Sequence, residues 1–156
     1  MIRKARIGDV KAIQKLVGDY ARKGDMLPRS LSEIYENIRD YVVYVDDAGG
    51  PVLGSAALHI MWEDLAEVRS LAVHDEIGRR GVGTQLVEAC ISEAIVLGIT
   101  KVFALTYKPA FFEKLGFRQV DKSELPHKIW TDCLKCSKFP DCDEIALVAD
   151  FSGNAR

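Results

Sequence analysis

The segment from Glu67 to Thr84, EVRSLAVHDEIGRRGVGT, constrains the fold more than any other part of the chain. An alternating apolar strand enters a short loop, and a Gly-Val-Gly turn then leads into an amphipathic helix. Gly81 and Gly83 lack a Cβ atom, so main-chain N–H groups can approach a ligand closely. The first turn of the helix adds unpaired N–H donors and the positive end of the helix dipole. The pattern therefore predicts a main-chain cradle for phosphate oxygens.

The spacing of these glycines excludes two common phosphate motifs. The dinucleotide fingerprint fails after Gly83, and the P-loop would need Gly-Lys-Ser/Thr at the helix start. The turn instead resembles the acetyl-CoA signature of the GNAT N-acetyltransferase superfamily, Arg/Gln-x-x-Gly-x-Gly/Ala. Gly78 stands where that signature has Arg or Gln. Because the cradle is mostly main chain, we expect this change to alter the shape of the loop more than the binding of the coenzyme.

Composition limits the class of protein. The 156 residues suffice for a single domain, 1–156, with a sizeable core. A net charge of −2 argues against a nucleic-acid-binding protein. The sequence has no apolar run of membrane-spanning length, and its first residues lack the apolar stretch of a signal peptide. We therefore expect a cytoplasmic protein that binds neither nucleic acid nor membrane.

Hydrophobic periodicity predicts an α/β chain with a mixed central sheet and the element order β-α-α-β-β-β-α-β-α-β-β. The GNAT fold has the same order, so the resemblance covers nearly the whole chain. Asp9 and Ser30 are the predicted N-caps of the first two helices. The last strand is expected to be exposed, where it could pair with a second copy in a homodimer. Strands are predicted at 2–7, 41–45, 51–62, 65–74, 101–106, 117–120 and 143–151, and later helices at 84–97 and 109–115. The inward residues of the helix at 84–97 are predicted to be Leu86, Val87, Cys90, Ile91 and Ile95.

The segment from Ala110 to Phe117 resembles a second GNAT motif, Ala-x-x-Phe-Tyr-x-Lys-Leu-Gly-Phe. In the superfamily its tyrosine usually protonates the departing coenzyme A thiolate. Phe112 occupies that position here and has no proton to donate. Either Tyr107, the nearest candidate, supplies the proton, or the thiolate leaves unaided, because a thiol with a pKa of about 8.5 is a good leaving group.

Acetyl transfer to an amine requires a fixed thioester, a stabilised carbonyl oxygen and an unprotonated amine. The resemblance implies that the strand at 71–73 separates from its neighbour and binds the pantetheine arm through main-chain groups. Glu67, at the start of that strand, is the candidate base, directly or through a water, although a solvated carboxylate at a strand end is an equal alternative. The residues assigned to acetyl-CoA are Leu71, Ala72, Val73, Arg79, Arg80, Gly81, Val82, Gly83, Thr84 and Phe112.

Three further stretches resemble the short, single-domain N-acetylglutamate synthases that open arginine biosynthesis. They are LPRSL at 27–31, EVRSLAV at 67–73 and VDKSELPHK at 120–128. L-Glutamate carries two carboxylates, and burying them requires cations or aligned N–H donors. The candidate substrate-binding residues are Arg29, Ser30, Arg69 and Lys108. Glu67 could instead be the partner of Arg69, and Lys108 could be an ordinary surface cation.

The cysteines suggest a possible metal site. Cys90 is expected to be a small buried hydrophobic residue. Cys133, Cys136 and Cys142 form a cluster that also occurs in the resembling synthases, and His127, Asp132 or Asp141 would have to supply a fourth ligand. Free thiols in a loop are the favoured interpretation, so we expect that catalysis requires no metal.

Two other functions stay open. The chain could acetylate another primary amine, such as a protein N-terminus, a polyamine or an aminoglycoside, although a cationic acceptor should need an acidic pocket. Phe112 and the cysteine cluster also leave open a non-catalytic sensor of acetyl-CoA or metal.

Overall fold

One mixed seven-stranded sheet carries helices on both of its faces. The computed structural model describes residues 1–77, 80–126 and 144–152. The strands are β1 (Ile2–Lys4), β2 (Tyr41–Tyr44), β3 (Gly54–Trp62), β4 (Leu65–Val73), β5 (Lys101–Thr106), β6 (Arg118–Val120) and β7 (Ile145–Asp150). The helices are α1 (Val10–Arg22), α2 (Leu31–Glu36), α3 (Val82–Leu97) and α4 (Pro109–Glu113).

The strand order is β1-β2-β3-β4-β5-β7-β6. β4 and β5 are parallel, and the other neighbouring pairs that the structure describes are antiparallel. The predicted element order is confirmed, but the prediction of an exposed last strand is wrong. The chain returns after β6 so that β7 lies between β5 and β6. Its main-chain groups are used on both sides, and β1 and β6 form the two edges.

The two predicted N-caps have different outcomes. Ser30 caps α2 as predicted, because its Oγ accepts the Glu33 N–H at 3.1 Å. Asp9 precedes α1 but makes no side-chain capping bond to it. Its carboxylate instead pairs with the Arg3 guanidinium at 2.7 Å and accepts the Arg6 N–H. These contacts lower the pKa of the Asp9 carboxyl and tie the start of α1 to β1.

Helix α3 begins at Val82, two residues before the predicted start, and ends before Gly98, which has a φ of 84°. Five residues at helical spacing line its buried face: Val82, Leu86, Val87, Cys90 and Ala94. Ile95, predicted to point inward, is 56% exposed. Ala94 takes its place because it lies four residues after Cys90, on the same face of the helix.

Alternation along the strands divides the core into two layers. Val42, Leu58 and Val68 face α3 and α4 on one side of the sheet. Val43, Ala57 and Ala72 face α1 and α2 on the other side. A smaller cluster on this second side, around Phe103 and Val148, packs over β5 and β7. No helix among the described residues is both long enough and apolar enough to cross a bilayer.

Candidate active site

A β-bulge reshapes the middle of β4. Along β3 the register moves from Ser55 to Ala57, while along β4 it moves from Ala72 to Arg69, so β4 carries one extra residue. Ser70 lies within this bulge and has a φ of 55°, a backbone conformation that residues other than glycine rarely adopt. A bulge bends its strand and increases the local twist. As a result, Arg69 and Ala72 lie on the same face of the sheet.

β4 and β5 separate just before this bulge. Their pairing covers only Leu65 to Glu67 on β4 and Lys101 to Phe103 on β5. β4 continues to Val73 and β5 to Thr106 without further pairing in the register. Main-chain groups on the open edge of β4 therefore face a gap where an extended ligand could take the place of a strand. This is the separation that the sequence predicts for residues 71–73.

A tyrosine from α1 reaches the end of this open edge. The His74 N–H donates to the Leu53 carbonyl on the β3 side, so the N–H and C=O of Val73 point toward the gap. The Tyr20 hydroxyl donates to the Val73 carbonyl at 2.8 Å and accepts the Val73 N–H at 3.3 Å. The N–H and C=O of Val73, which are predicted to bind pantetheine, are thus accessible to a polar group from the α1 side of the sheet.

The two glycines of the turn at the start of α3 have different surroundings. Gly81 has a φ of 73°, and a Cβ atom there would meet nothing within 4 Å, so the turn is open. A Cβ on Gly83 would lie 3.4 Å from the Phe111 ring, so Gly83 lets α4 pack closely against α3. The first N–H groups of α3 have no acceptor within the helix. Gly78 and Arg79 lie outside the described residues.

Arg80 is anchored beside this turn. Its Nη2 lies 2.5 Å from Asp46 Oδ1 and 3.2 Å from the Tyr44 hydroxyl. The guanidinium lowers the pKa of the Asp46 carboxyl, and the carboxylate raises the pKa of Arg80. Arg80, assigned from sequence to the coenzyme, therefore lies next to the cradle with its charge already engaged.

A polar pocket opens on the α1/α2 side of the sheet. Arg29, from the segment before α2, and Arg69, from β4, both line it, although forty residues separate them. Arg29 Nη1 lies 3.4 Å from Glu33 Oε2. The side chains of the two arginines are only 9% and 14% exposed. The remaining lining residues are Glu33, Asn37, Asp40, Tyr41, Ala57 and His59.

Glu67 and Arg69 form an ion pair at the point where β4 and β5 separate. Glu67 Oε1 accepts from Arg69 Nε at 3.0 Å and lies 2.9 Å from Nη2. Glu67 is the last β4 residue paired with β5. The pairing that the sequence left as an alternative for Arg69 is therefore present, and Glu67 is buried rather than solvated at a strand end. Its role as a base stays a prediction.

His59 and Asp40 belong to the same pocket, and sequence reasoning missed both. His59 Nδ1 lies 3.1 Å from Asp40 Oδ2. His59 stands directly opposite Glu67 in the β3–β4 register, so the two side chains share a face. Alternation along β3 gives the face of His59, but only the register with β4 brings it next to Glu67. Nearby, burial raises the pKa of the Tyr41 hydroxyl.

Several other predicted residues lie away from the pocket. Ser30 uses its hydroxyl to cap α2, and Lys108 is exposed; neither belongs to the pocket lining. Tyr107 is half-buried and directly follows β5, the strand that borders the gap. Phe112 is 4% exposed and packs edge-to-face between Phe111 and Phe117, so it anchors α4 in the core. Its contact with coenzyme stays a prediction.

The cysteine cluster, for which free thiols are the favoured prediction, belongs to the part of the chain that the structure does not describe. Cys133, Cys136, Cys142 and His127 lie outside the described residues, together with Asp132 and Asp141. Within residues 1–77, 80–126 and 144–152, no group of three or more His, Cys, Asp or Glu side chains could hold a metal ion. Cys90 is buried as expected, and burial raises the pKa of its thiol to about 12.

Comparison with known proteins agrees with this geometry. Residues 11–117 match the model of the acetyltransferase (GNAT) family. An uncharacterized N-acetyltransferase from Chlorobaculum tepidum is 42% identical over 147 residues, which cover 94% of each chain. An amino-acid acetyltransferase from Mycobacterium tuberculosis is 33% identical over 133 residues, covering 85% of this chain and 76% of that protein.

A solved structure extends the comparison to a bound coenzyme. The N-acetylglutamate synthase of Neisseria gonorrhoeae, complexed with coenzyme A and N-acetyl-glutamate, superposes with a TM-score of 0.86 at 27% identity. The match covers 97% of this chain but 35% of the Neisseria chain, which is much longer. The chain belongs to the GNAT family and is an acetyl-CoA-dependent N-acetyltransferase.

Proposed function

We propose that the protein transfers the acetyl group of acetyl-CoA to the α-amino group of an acidic amino acid, L-glutamate above all. One observation carries the proposal: Arg29 and Arg69, distant in sequence, converge on one pocket beside the open end of β4. The M. tuberculosis relative named as an amino-acid acetyltransferase, and the Neisseria synthase with its N-acetyl-glutamate, support this acceptor. With glutamate as substrate, the reaction would be the first step of arginine biosynthesis.

The charges of the pocket suit a substrate with two carboxylates. Arg29 and Arg69 are both largely buried, and a buried guanidinium favours bidentate bonds to carboxylate oxygens. The 3.4 Å separation of Arg29 from Glu33 is long for a charge-assisted hydrogen bond, so a substrate carboxylate can compete with Glu33 for this guanidinium. The ammonium group of the substrate then lies among Glu67, His59 and Asp40, whose carboxylate oxygens and imidazole nitrogen can accept its hydrogen bonds.

The reaction takes place where the polar pocket adjoins the gap between β4 and β5. The thioester lies along the open edge of β4, and the amine enters from the pocket on the α1/α2 side. The amine lone pair attacks the carbonyl carbon, the C–S bond breaks, and the thiolate takes up a proton. Tyr107 borders the gap at the end of β5 and is the proposed donor of that proton. Replacing Tyr107 with Phe should lower kcat without changing the affinity for acetyl-CoA, and an unchanged kcat removes the assignment.

A screen of acceptors tests the proposal. Purified protein is incubated with acetyl-CoA and each common amino acid, a polyamine, an aminoglycoside or a short peptide, and thiol release is followed. Glutamate should give the highest kcat/KM, and product mass should show one added acetyl group. N-Acetyl-glutamate, which keeps both carboxylates but has no free amine, is the matched control and should release no thiol.

Two outcomes contradict the proposal. Preference for a cationic amine would mean that Glu33, Asp40 and Glu67, rather than the arginines, select the acceptor. Tight acetyl-CoA binding without turnover on any acceptor would favour a non-catalytic sensor of the coenzyme.

A further inference from the structure

We infer that His59, oriented by Asp40, removes the proton from the acceptor's ammonium group and delivers it to solvent. The inference rests on the proposed function, because it requires an amino-group acceptor in this pocket. It assigns the base to β3 rather than to Glu67 on β4.

The contact with Asp40 prepares His59 for this role. With Asp40 ionised, the His59 Nδ1–H donates to Asp40 Oδ2 at 3.1 Å. That bond selects the tautomer whose Nε2 carries a lone pair. A carboxylate also fixes the ring plane and stabilises the imidazolium that forms when Nε2 accepts a proton.

The position of His59 connects the pocket to the surface. His59 shares the lining with Arg29 and Arg69 and lies opposite Glu67 across the β3–β4 pair. Its side chain is 30% exposed, against 11% for Glu67. An imidazole at this boundary can contact the acceptor on one side and exchange its proton with water on the other. Besides His59, the ionisable groups that line this pocket are Arg29, Glu33, Asp40, Tyr41 and Arg69, and Glu67 adjoins it through its ion pair with Arg69.

Glu67 is less well placed to exchange protons with solvent. Its Oε1 accepts from Arg69 Nε and lies within an ion-pair distance of Nη2. A proton placed on that carboxylate would disturb the pair that holds Arg69 in the pocket. Glu67 is therefore assigned to fixing Arg69, and His59 to the proton.

The proton balance closes in three steps. The ammonium gives one proton to His59 Nε2, leaving a neutral amine and an imidazolium. The amine attacks the thioester carbon, the thiolate departs with a proton from Tyr107, and the second nitrogen proton restores the Tyr107 hydroxyl. The imidazolium then returns its proton to water, so each turnover releases one proton, one N-acetylated product and one thiol.

The pH dependence of kcat with glutamate tests this assignment. An imidazole base must be neutral, so wild-type activity should fall as the pH is lowered within the range of about 5 to 8 where histidines take up protons. The fall of kcat at low pH is the acidic limb of the pH profile. His59→Gln should lower kcat by about 100-fold or more and remove this acidic limb. His74→Gln is the matched control, because His74 is an exposed histidine whose Nδ1 accepts the Glu76 N–H.

Two more variants separate a catalytic base from a structural residue. His59→Ala should regain activity when free imidazole is added, which a folding defect would not do. Asp40→Asn should lower kcat by about tenfold while the acidic limb stays, because the imidazole is present but poorly oriented. Melting temperatures close to that of the parent protein show that the variants are folded.

The outcomes are distinct from those of the acceptor screen. If the wild type acetylates glutamate and His59→Gln keeps its kcat and acidic limb, the assignment of His59 is overturned. It is also overturned if only Glu67→Gln loses the limb, or if His59→Gln raises KM alone. A wild type that acetylates no amino acid overturns the proposed function itself.

Discussion

The proposed active site has two halves, one for the coenzyme and one for the acceptor, and they are built from different kinds of groups. The coenzyme half consists mainly of main-chain groups: the open edge of β4 and the turn around Gly81 that starts α3. These groups lie within one continuous stretch of chain. The acceptor half consists of side chains from the segments before and after α2, from α2 itself, and from β2, β3 and β4. These residues meet only after the sheet has formed.

This difference explains which sequence changes each half tolerates. Main-chain donors stay in place when a side chain changes, so Gly78 and Phe112 can depart from the GNAT motifs without removing the cradle. In the acceptor pocket no main-chain group can replace a lost side chain, because each of its charges belongs to one side chain. Substitutions in the acceptor half should therefore have larger effects than those in the coenzyme half.

The largest effect is expected from Arg69→Ala. The substitution leaves Glu67 buried without its guanidinium, and we expect it to destabilise the protein by about 3 kcal/mol, because breaking a buried ion pair costs more than the pair contributes. For a protein of this size that lowers Tm by roughly 6–10 °C. The kcat/KM for glutamate should fall by about 1000-fold, while the Kd for acetyl-CoA should stay within about threefold of the parent value.

A second substitution separates the two roles of Arg69. Adding Glu67→Gln to Arg69→Ala removes the uncompensated charge and should recover most of the lost Tm, but not the activity with glutamate. Arg39→Ala removes an exposed arginine and is the matched control. If Arg69→Ala alone changed Tm but left kcat/KM unaltered, the arginine would serve only the ion pair.

Arg29→Ala should have the next largest effect, and it should fall on the acceptor alone. Loss of one charge-assisted interaction of about 1.5–3 kcal/mol should raise the KM for glutamate by roughly 10- to 100-fold. The affinity for acetyl-CoA should be unchanged, because Arg29 lies in the polar pocket rather than at the Gly81 turn. Arg22→Ala, at the exposed end of α1, is the control. An unaltered KM would place the substrate carboxylate elsewhere.

The contrast also shows what could be predicted from the sequence. The element order and the start of α3 follow from local periodicity and glycine placement, which are properties of neighbouring residues. The pairing of Arg69 with Glu67 was within reach, because residues two apart on a strand share a face. The place of His59 and Asp40 in the pocket could not be predicted, since only the β3–β4 register brings His59 beside Glu67. The position of β7 depends on a return of the chain that local patterns do not encode.

A smaller effect is expected in the coenzyme half from Gly81→Ala. The φ of 73° costs a residue with a Cβ roughly 1–2 kcal/mol, although the site itself has room for a methyl group. The turn will therefore relax, and the Kd for acetyl-CoA should rise by about 5- to 30-fold. Gly49→Ala is the control, because a Cβ at Gly49 also meets nothing within 4 Å and its φ is not positive. Equal Kd values for both variants would mean that the turn does not hold the coenzyme.

The smallest effect is expected from Asp46→Asn. Asp46 engages Arg80 at 2.5 Å and both groups are exposed, so the pair has the limited strength of a surface contact. Removing the carboxylate leaves the Arg80 guanidinium available to coenzyme phosphates, and the Kd for acetyl-CoA at low salt should fall by about twofold. Asp47→Asn removes the same charge from the same turn and controls for long-range attraction. A weaker affinity in Asp46→Asn alone would show that the Arg80 contact instead holds the turn in its binding shape, which would bring a side chain into the half of the site otherwise built from main chain.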